Sequence, residues 1–430
     1  MTIAVFDLND CAIGHGSNTD NWQESPGFAL LEGDAIVTGH KARERAWLEP
    51  QRSFQHYWHQ LNLSPLSSHN RSARHHADLA YAQLQQLHQD SQQPEEVILA
   101  VPGNFTREQL ALLLGLIKAS QFKAIGLVDS AIAAISSAPV QQNGLHLDIQ
   151  LHQCVITRIN VDGDIHRISV EPLNDLGLKG MMDSWAHHIA EQFIHQYRYD
   201  PLHTAHGEQQ LYDQLPKWLN DLQSSQQTTA SLDTAKGNFN LNLLRDELMV
   251  SSQARLQRLL QGVDKFLEPG DCIYLSHRLA QLPGVVDALN ASCHVLSEHA
   301  VLEGCLQHQQ AIRSDSEALK FITRLPADNP VSKPQSSTTA ATSEGSANPT
   351  HALIGHRALA IQSQLGLSLN ENGQLTASPE SNADLVLAIN GNGLKLHSRP
   401  GVEVEAPSEL QAGSVIKLVG KPIVLIQVES

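Results

Sequence analysis

Charged side chains are scarce in this sequence, and basic ones are the scarcer kind. Only 17% of the 430 residues are charged, with 29 lysines and arginines against 45 aspartates and glutamates, which gives a formal net charge of −16. Nucleic acids and anionic membranes attract basic surfaces. The composition therefore argues against a general nucleic-acid or membrane binder, and we expect neither among the partners.

Long apolar runs and paired cysteines are also missing. No run approaches the ~18 residues that cross a bilayer. The opening segment, Met1-Thr-Ile-Ala-Val-Phe-Asp7, lacks the basic and then apolar order of a signal peptide. The five cysteines are far apart and form no Cys-x-x-Cys pair, which excludes a disulfide framework and a zinc knuckle. We therefore expect reduced thiols and a cytoplasmic protein.

Histidine, in contrast, is abundant, with 23 residues. Two adjacent pairs, His75-His76 and His187-His188, are the obvious candidates for metal ligands. Adjacent residues on a helix point in different directions, so such pairs do not chelate a metal ion. We interpret them as solvated or core histidines and predict no metal site.

One segment differs from the rest in composition. Between Asp328 and Thr350 the chain is rich in Ser, Thr, Ala and Pro, and Val331 is its one apolar residue larger than alanine. Such a stretch buries too little surface to offset the entropy lost on ordering. We predict a body over 1–325, a flexible linker over 326–350 and a small domain over 351–430.

The body alternates strand-like and helical patterns, which predicts an α/β protein with a mixed sheet. Residues 97–101 form a compact apolar run typical of a central strand. Thr106, with Gln109 three residues later, predicts a capped helix start, and Asp162-Gly163 predicts a hairpin turn. The longer helices are predicted over 71–89, 181–197, 207–224 and 243–266.

The last 80 residues contain eight short β-like runs at a spacing of about 8–12 residues. Asn-Gly dipeptides at 372–373, 390–391 and 392–393 are typical of hairpin turns. This pattern predicts a small all-β sandwich or barrel.

Several motifs of the body, taken in order, resemble a known family. After a first strand ending in Asp7 come Ile-Leu-Ala-Val-Pro-Gly-Asn-Phe-Thr-Arg-Glu-Gln (98–109), Leu-Val-Asp-Ser-Ala-Ile-Ala-Ala-Ile (127–135), Leu-Asn-Asp-Leu-Gly-Leu-Lys-Gly (173–180) and the segment 271–284. This order resembles the ATPase domain of DnaK-type (Hsp70-like) heat-shock chaperones, in the actin/sugar-kinase/chaperone superfamily. The resemblance covers nearly all of residues 1–320 and implies a two-lobed, actin-like body.

The resemblance also shows that the first phosphate-binding turn is degraded. Where the family has a Gly-Thr-Thr turn after its first strand, this chain has Asn9, Asp10 and Cys11. Asp10 would place negative charge beside the phosphates. The lysine that the family uses falls near Tyr57 or Trp58, and no lysine occurs from 42 to 117.

The second phosphate-binding loop is degraded as well. The family pattern of Asp-Leu-Gly-Gly-Gly-Thr corresponds here to Asp148 and the residues up to 153, with Gln150, Leu151 and His152 in place of the three glycines. Side chains there would fill the space of a nucleotide, and non-glycine backbones resist positive φ. The family's paired glycines at the adenosine correspond to the segment around Ser276.

Three acidic positions match those that organise Mg²⁺ in working members of the family, namely Asp7, Asp129 and Asp148. They are degenerate catalytic candidates, and the alternative is that they are strand-end aspartates bound by backbone N–H groups or solvent. If a nucleotide binds, the resemblance implies contacts from Asn9, Asp10, Cys11, Gln150, Gly177 and Ser276. Gly177 also has a plain structural interpretation, close packing at a helix start.

These observations favour a chaperone-like pseudo-ATPase that acts as a scaffold for protein partners, without a cofactor and without ATP hydrolysis, because the loops and the lysine that position phosphates are lost. One alternative is a nucleotide-binding DnaK-type chaperone or ATPase with rebuilt loops, using Mg-ATP or Mg-ADP. Another is a sugar kinase of the same superfamily, which would need the same loops.

The C-terminal domain resembles forkhead-associated (FHA-like) sandwiches through Gly393-Leu-Lys-Leu and the segment 409–420. Members of that family bind phosphothreonine through loop residues, and Arg357 and Asn390-Gly391 are the candidates here. The resemblance implies that this domain contributes a second protein-binding surface.

Overall fold

Two units make up the chain, residues 1–332 and residues 333–430, which we call the first and the second unit. The computed structural model describes residues 3–426 apart from 139–141, 236, 290–292, 315–318, 328–349, 355–356, 362–363, 370–374, 379–382, 391–392, 401, 403, 408–409, 411–413 and 420. Most of the predicted linker therefore lies outside the described residues.

Short strands form most of the sheet structure of the first unit. In chain order they are β1 (Ile3–Asp7), β2 (Ile13–Gly16), β3 (Gln23–Ser25), β4 (Ala29–Glu32), β5 (Ala35–Thr38), β6 (Ser53–Phe54), β7 (Glu96–Val101), β8 (Lys123–Asp129), β9 (Gly144–Ile149), β10 (Gln153–Asp162), β11 (Asp164–Asn174), β12 (Gln227–Thr234), β13 (Gly237–Leu244), β14 (Cys272–Leu275), β15 (Cys293–Val295), β16 (Phe321–Ile322) and β17 (Arg324–Pro326).

Helices of very different lengths separate these strands. They are α1 (His40–Arg43), α2 (His76–Asp90), α3 (Arg107–Lys118), α4 (Ser130–Ser136), α5 (Leu178–Tyr197), α6 (Ala205–Ser224), α7 (Arg245–Asp264), α8 (His277–Ala280), α9 (Val285–Ala288), α10 (Ala300–Gln307) and α11 (Gln309–Ile312), with 3₁₀ turns at Thr19–Asn21 and Pro201–His203. Among the described residues, none of the helices is both long enough and apolar enough to cross a membrane.

Two six-stranded mixed sheets share the connectivity of five of their strands. The first sheet has the order β16-β8-β7-β1-β2-β3, and the second has the order β15-β14-β9-β10-β11-β17. In each, three consecutive strands form an antiparallel meander (β1-β2-β3 and β9-β10-β11). Two later strands then add in parallel on the side of the first strand of the meander. The sixth strands differ, because β16 pairs in parallel with β8 whereas β17 pairs antiparallel with β11 at the other edge. The predicted α/β class is confirmed, with two mixed sheets where the sequence predicted one.

Burial on both faces explains why the central strands of the first sheet carry continuous apolar runs. On β7, Val97, Leu99 and Val101 belong to the core beneath α2 and α3. Ile98 and Ala100 point to the opposite face and belong to the core beneath α4 and α10. A strand covered on both faces has no polar side, so its period-two pattern disappears from the sequence.

The second sheet buries its meander against the long helices of the first unit. Leu145, Leu147 and Ile149 of β9 share a core with Trp185 and Phe193 of α5. Helices α6 and α7 and the hairpin β12-β13 complete this core. The β4-β5-β6 sheet is a separate three-stranded element of the first unit.

Two predictions of local structure are corrected. The helix predicted from residue 71 begins at His76, because the Asp78 carboxylate accepts hydrogen bonds from the backbone N–H groups of Arg74 and His75 (2.7 and 3.0 Å) and so caps the helix there. The helix predicted from residue 243 begins at Arg245, after the hairpin β12-β13. Alternating burial on this hairpin was a period-two signal that the prediction overlooked.

The second unit consists of two antiparallel sheets. Its strands are β18 (His351–Ile354), β19 (Arg357–Ala360), β20 (Gln364–Leu369), β21 (Leu375–Ala377), β22 (Leu385–Asn390), β23 (Gly393–Ser398), β24 (Val404–Glu405), β25 (Val415–Leu418) and β26 (Lys421–Ile426).

The two sheets of the second unit, β19-β18-β26-β25-β24 and β21-β20-β22-β23, share one apolar core. The described residues of this unit form nine strands where the sequence predicted eight, and β18 is the additional one. Asn390 pairs with Gly393 across the β22-β23 hairpin. The remaining Asn-Gly turn residues, 372–373 and 391–392, lie outside the described residues.

We predict that Gly304→Ala destabilises the first unit. A Cβ at Gly304 would lie 1.8 Å from the carbonyl oxygen of Ala133 and 2.8 Å from Ser136 Oγ, so α10 would have to move away from α4. Overpacking of this kind costs roughly 1–3 kcal/mol of the free energy of unfolding, measurable by urea denaturation.

The matched control is Gly115→Ala. A Cβ added to this exposed glycine of α3 would meet no neighbouring atom within 4 Å, and alanine is the better helix former by up to about 1 kcal/mol. The control should therefore be as stable as the wild type or more so. Equal stabilities of the two variants would contradict the packing argument.

Candidate functional site

The carboxyl ends of β1 and β9, which are equivalent strands of the two sheets, meet in the first unit. Asp7 is the last residue of β1, and Asp148 lies one residue before the end of β9. Asn9 joins the two ends, because its Nδ2 donates to Asp148 Oδ2 (2.9 Å) and to the carbonyl of Ile149 (3.0 Å). Three of the predicted site residues are thus brought together at one junction.

A cation of the chain itself, Arg278 of α8, lies at this junction. Its Nη2 donates to Asp7 Oδ2 (2.7 Å) and to the carbonyl of Ala12 (3.2 Å). The Asp7 side chain is only 1% exposed, and burial raises its pKa to about 6 although Arg278 acts in the opposite direction. Burial alone would lower the pKa of Arg278, but the carboxylates of Asp7, Asp148 and Glu24 outweigh it and raise that pKa.

Sequence reasoning missed Arg278, although the segment that contains it had been identified. The helix α8 follows β14, which pairs in parallel with β9. The carboxyl ends of parallel strands meet at the same edge of a sheet, so a basic residue directly after β14 was a usable signal. This arginine lies two residues after Ser276, in the segment that the resemblance matches to the family's paired glycines.

Asp10 binds the second loop instead of leaving a bare charge in the junction. Its Oδ1 accepts a hydrogen bond from the backbone N–H of Leu151 (2.7 Å). Burial raises the pKa of Asp10 to about 6, and the hydrogen bond from Leu151 opposes that rise. The expectation that Asp10 only repels an incoming phosphate is therefore incomplete, since its carboxylate already takes a loop N–H group that an anion would need.

Gln150 closes the junction with neutral amides. Gln150 and Asn104 exchange hydrogen bonds in both directions (3.0 and 3.1 Å), and Gln153 Nε2 donates to Gln150 Oε1 (2.7 Å). Asn104 follows β7 of the first sheet, whereas Gln150 follows β9 of the second. The amide pair therefore connects the two sheets at the position where the sequence predicted a side chain in nucleotide space.

His152 joins the same loop to the segment after β6. Its Nε2 lies 2.8 Å from the carbonyl oxygen of Gln55, and its ring stacks on that of His56 with centroids 3.7 Å apart. His59 lies farther away, at 5.5 Å between centroids. The three residues that the resemblance matches to glycines, at 150–152, are each hydrogen-bonded to another part of the chain.

Gly177 performs the packing role that was its structural interpretation. A Cβ there would lie 2.3 Å from the backbone carbon of His152. The close approach lets the N–H groups of Leu178 and Lys179 donate to the carbonyls of Gln150 and Leu151 (3.0 and 2.9 Å). These contacts satisfy donors at the start of α5 that would otherwise lack partners.

Asp129 is separate from the Asp7–Asp148 group. Its Oδ2 accepts from Arg167 Nη1 (2.6 Å), and its Oδ1 accepts from the N–H groups of Ala131 and Ile132 (3.0 and 3.2 Å). Complete burial raises its pKa even though Arg167 acts against the rise. Asp129 therefore caps α4 and pairs with β11.

The two remaining predicted residues have local structural roles. Ser276 is the N-cap of α8, where its Oγ accepts from the N–H of Leu279 (3.2 Å). Burial and the adjacent Asp10 raise the pKa of the Cys11 thiol well above its ordinary range, so this cysteine stays protonated and weakly nucleophilic.

The residues at the junction do not fit a magnesium nucleotide. Asp7 is paired with Arg278, Asp10 takes the Leu151 N–H, and Gln150 is bonded to Asn104. At the position that the resemblance assigns to the lysine, Trp58 Nε1 donates to Gln83 Oε1 (2.7 Å), and the Tyr57 hydroxyl donates to the same oxygen. Within the described ranges, no group of three or more His, Cys, Asp or Glu side chains is arranged to hold a metal ion.

We predict strong coupling between Asp7 and Arg278. Arg278→Gln leaves a buried carboxylate without its cation, which typically costs about 3–5 kcal/mol. The double variant Asp7→Asn, Arg278→Gln removes both charges and should lose much less than the sum of the single losses. Urea denaturation of the wild type, Asp7→Asn, Arg278→Gln and the double variant measures the coupling energy. Additive losses of the free energy of unfolding would show that the pair does not interact.

We also predict a pH-dependent contribution from His152. Burial and the neighbouring His56 lower its pKa to about 4, whereas an unfolded histidine titrates near 6.5. The unfolded chain therefore takes up the proton first, so the stability from neutral His152 is complete above about pH 6.5 and is lost as the pH falls toward 4.

The measurement compares His152→Gln with the wild type at pH 7 and pH 5. The variant should be less destabilised at pH 5, by about 1 kcal/mol after allowance for solvent screening. Asp7 and Asp10, whose raised pKa values act with the opposite sign, are present in both proteins and cancel. A difference that does not depend on pH, or one shared by the exposed control His195→Gln, would count against this interpretation.

Comparison with known proteins leaves these residues without a family assignment. No protein-family model matches the chain, and no curated protein matches it. A function for the junction therefore has to be argued from its geometry and from the order of the sequence motifs.

Proposed function

We propose that this chain is a chaperone-like pseudo-ATPase, a two-lobed, actin-like body that acts as a scaffold or adaptor for protein partners. Support for the lobes comes from the two sheets of the first unit, which share the connectivity of five strands and meet at the ends of β1 and β9. The order of motifs over residues 1–320 supports the same superfamily.

The observation that carries the proposal is the occupation of the junction by the chain's own charges. Phosphoryl transfer depends on a cation and on backbone donors that are free to meet the developing charge. Here the Arg278 guanidinium neutralises Asp7, and the Asp10 carboxylate takes the N–H of Leu151. A nucleotide would have to break these buried contacts before it could bind.

A junction of this kind suits a scaffold better than an enzyme. The amide pair Asn104–Gln150 and the bond from Asn9 to Asp148 connect the two sheets without any ligand. A partner would therefore meet a surface whose geometry does not depend on nucleotide. In this proposal the all-β second unit recruits a further protein.

We predict that neither Mg-ATP nor Mg-ADP stabilises the full chain and that ATP hydrolysis stays at background. A ligand at 100 times its dissociation constant would add about 2.7 kcal/mol to the free energy of unfolding, so thermal shift and calorimetry detect even modest affinity. Hydrolysis that Asp148→Asn removes would overturn the proposal. Binding without hydrolysis would favour the alternative, a nucleotide-binding DnaK-type chaperone.

A scaffold function requires a protein partner whose binding to the chain does not depend on nucleotide. Cross-linking of the full chain in extracts of its own cells, either depleted of ATP or supplied with it, should recover the same partners in the same yield. Asp148→Asn serves as the matched variant and should change nothing. Release of the partner by ATP would support a switched chaperone, and the absence of any stable partner would contradict a scaffold.

A further inference from the structure

A cavity of about 230 Å³ lies beside the Asp7–Arg278 pair and has no part in the scaffold proposed above. It is mainly apolar. Prominent wall residues are Phe28, Trp47, Leu151, Met182, Leu219 and Leu282. A concave, mostly apolar site with a few polar groups is the usual form of a small-molecule site.

One wall of this cavity is aromatic and is held in place without a ligand. The ring of Trp47 stacks on that of Tyr212, with centroids 4.1 Å apart and 16° between the planes. The backbone N–H of Trp47 donates to Gln209 Oε1 (3.0 Å), which fixes its position. Phe28 lies next to it, at 6.0 Å between ring centroids. A preformed wall of this kind favours a flat aromatic ligand, because little has to be ordered on binding.

The charges that line the cavity favour an anion. Lys179 and Arg278 line it, but both already bind carboxylates, those of Asp183 and Asp7. Glu24 is the acidic residue among the lining residues, and its Oε1 lies 4.0 Å from Arg278 Nη2. Arg43 is the third cation that lines the cavity.

Arg43 makes no side-chain hydrogen bond and no ion pair of 4 Å or less with any residue in the described part of the chain, yet it is only partly exposed. Burial lowers its pKa, and the more distant charges of Asp213 and Glu44 oppose that fall. A guanidinium remains charged at neutral pH and binds a carboxylate with two parallel hydrogen bonds. An anionic ligand would therefore give the Arg43 guanidinium the ion-pair partner that it lacks in the described part of the chain.

We propose that this cavity binds a small aromatic monocarboxylate, with its ring against Trp47 and Phe28 and its carboxylate on Arg43. A neutral aromatic molecule would leave Arg43 without a partner. A polyphosphate would bring several charges into a mainly apolar cavity that contains Glu24. One negative charge on a flat apolar body matches the lining best.

The test uses the full chain and two probes of the same shape, naphthalene-2-carboxylate and its neutral amide, naphthalene-2-carboxamide. Isothermal calorimetry should show saturable binding of one carboxylate per chain and at least tenfold weaker binding of the amide. Arg43→Gln should weaken the carboxylate roughly tenfold or more, as expected for loss of a charge-assisted hydrogen bond, and leave the amide unchanged.

Two further variants make the test specific. Arg52→Gln removes an arginine from the same region whose side chain is 62% exposed, and it should not change either affinity. Leu219→Trp adds volume to the cavity wall and should abolish binding of both probes, with the unfolding temperature checked for a preserved fold.

No saturable binding to the wild type, equal losses in Arg43→Gln and Arg52→Gln, or unchanged binding in Leu219→Trp would each overturn the proposal. These outcomes are independent of the nucleotide titrations, so the cavity proposal and the scaffold proposal can fail separately.

Discussion

The buried ion pair between Asp7 and Arg278 is the interaction on which the junction of the two sheets depends. A carboxylate that is 1% exposed is costly unless a cation compensates it, and burial raises the pKa of Asp7 even beside Arg278. The arginine comes from α8, 271 residues away in sequence. Folding itself therefore brings the cation to the carboxyl end of β1, and the pair joins the β1 end to the helix that follows β14.

Hydrogen bonds from side-chain amides surround this charged pair and connect the two sheets. Asn9 donates a hydrogen bond to Asp148, and Asn104 donates one to Gln150. Side-chain amides therefore connect the two sheets at two places. In a buried setting a fully satisfied polar network is strong, while each unpaired member is costly. A ligand that displaced one of these hydrogen bonds would therefore have to supply an equivalent partner. This requirement raises the free-energy cost of binding.

Local signals in the sequence predicted the elements better than the site. The capping box of Thr106 and Gln109 is formed as expected, since its partners are three residues apart. The aspartates Asp7, Asp129 and Asp148 were identified through the family resemblance, which matches them to acidic positions of that family. Arg278 and Asn104 were missed because their roles depend on contacts across the two sheets. The hairpin over 227–244 did carry a local signal, the period-two alternation of its two strands, which the prediction overlooked.

The loop over residues 150–152 is held in place by contacts of each of its three residues with other parts of the chain. The backbone N–H of Leu151 donates to the Asp10 carboxylate, and the Leu151 side chain lies in a small apolar core with Phe28. His152 stacks on His56, and Gln150 bonds Asn104. The side chains of Gln150 and His152 thus make contacts that a glycine could not make, and the side chain of Leu151 adds apolar burial. Because all of these contacts are made within the chain, they fix the position of the loop at the junction of the two sheets.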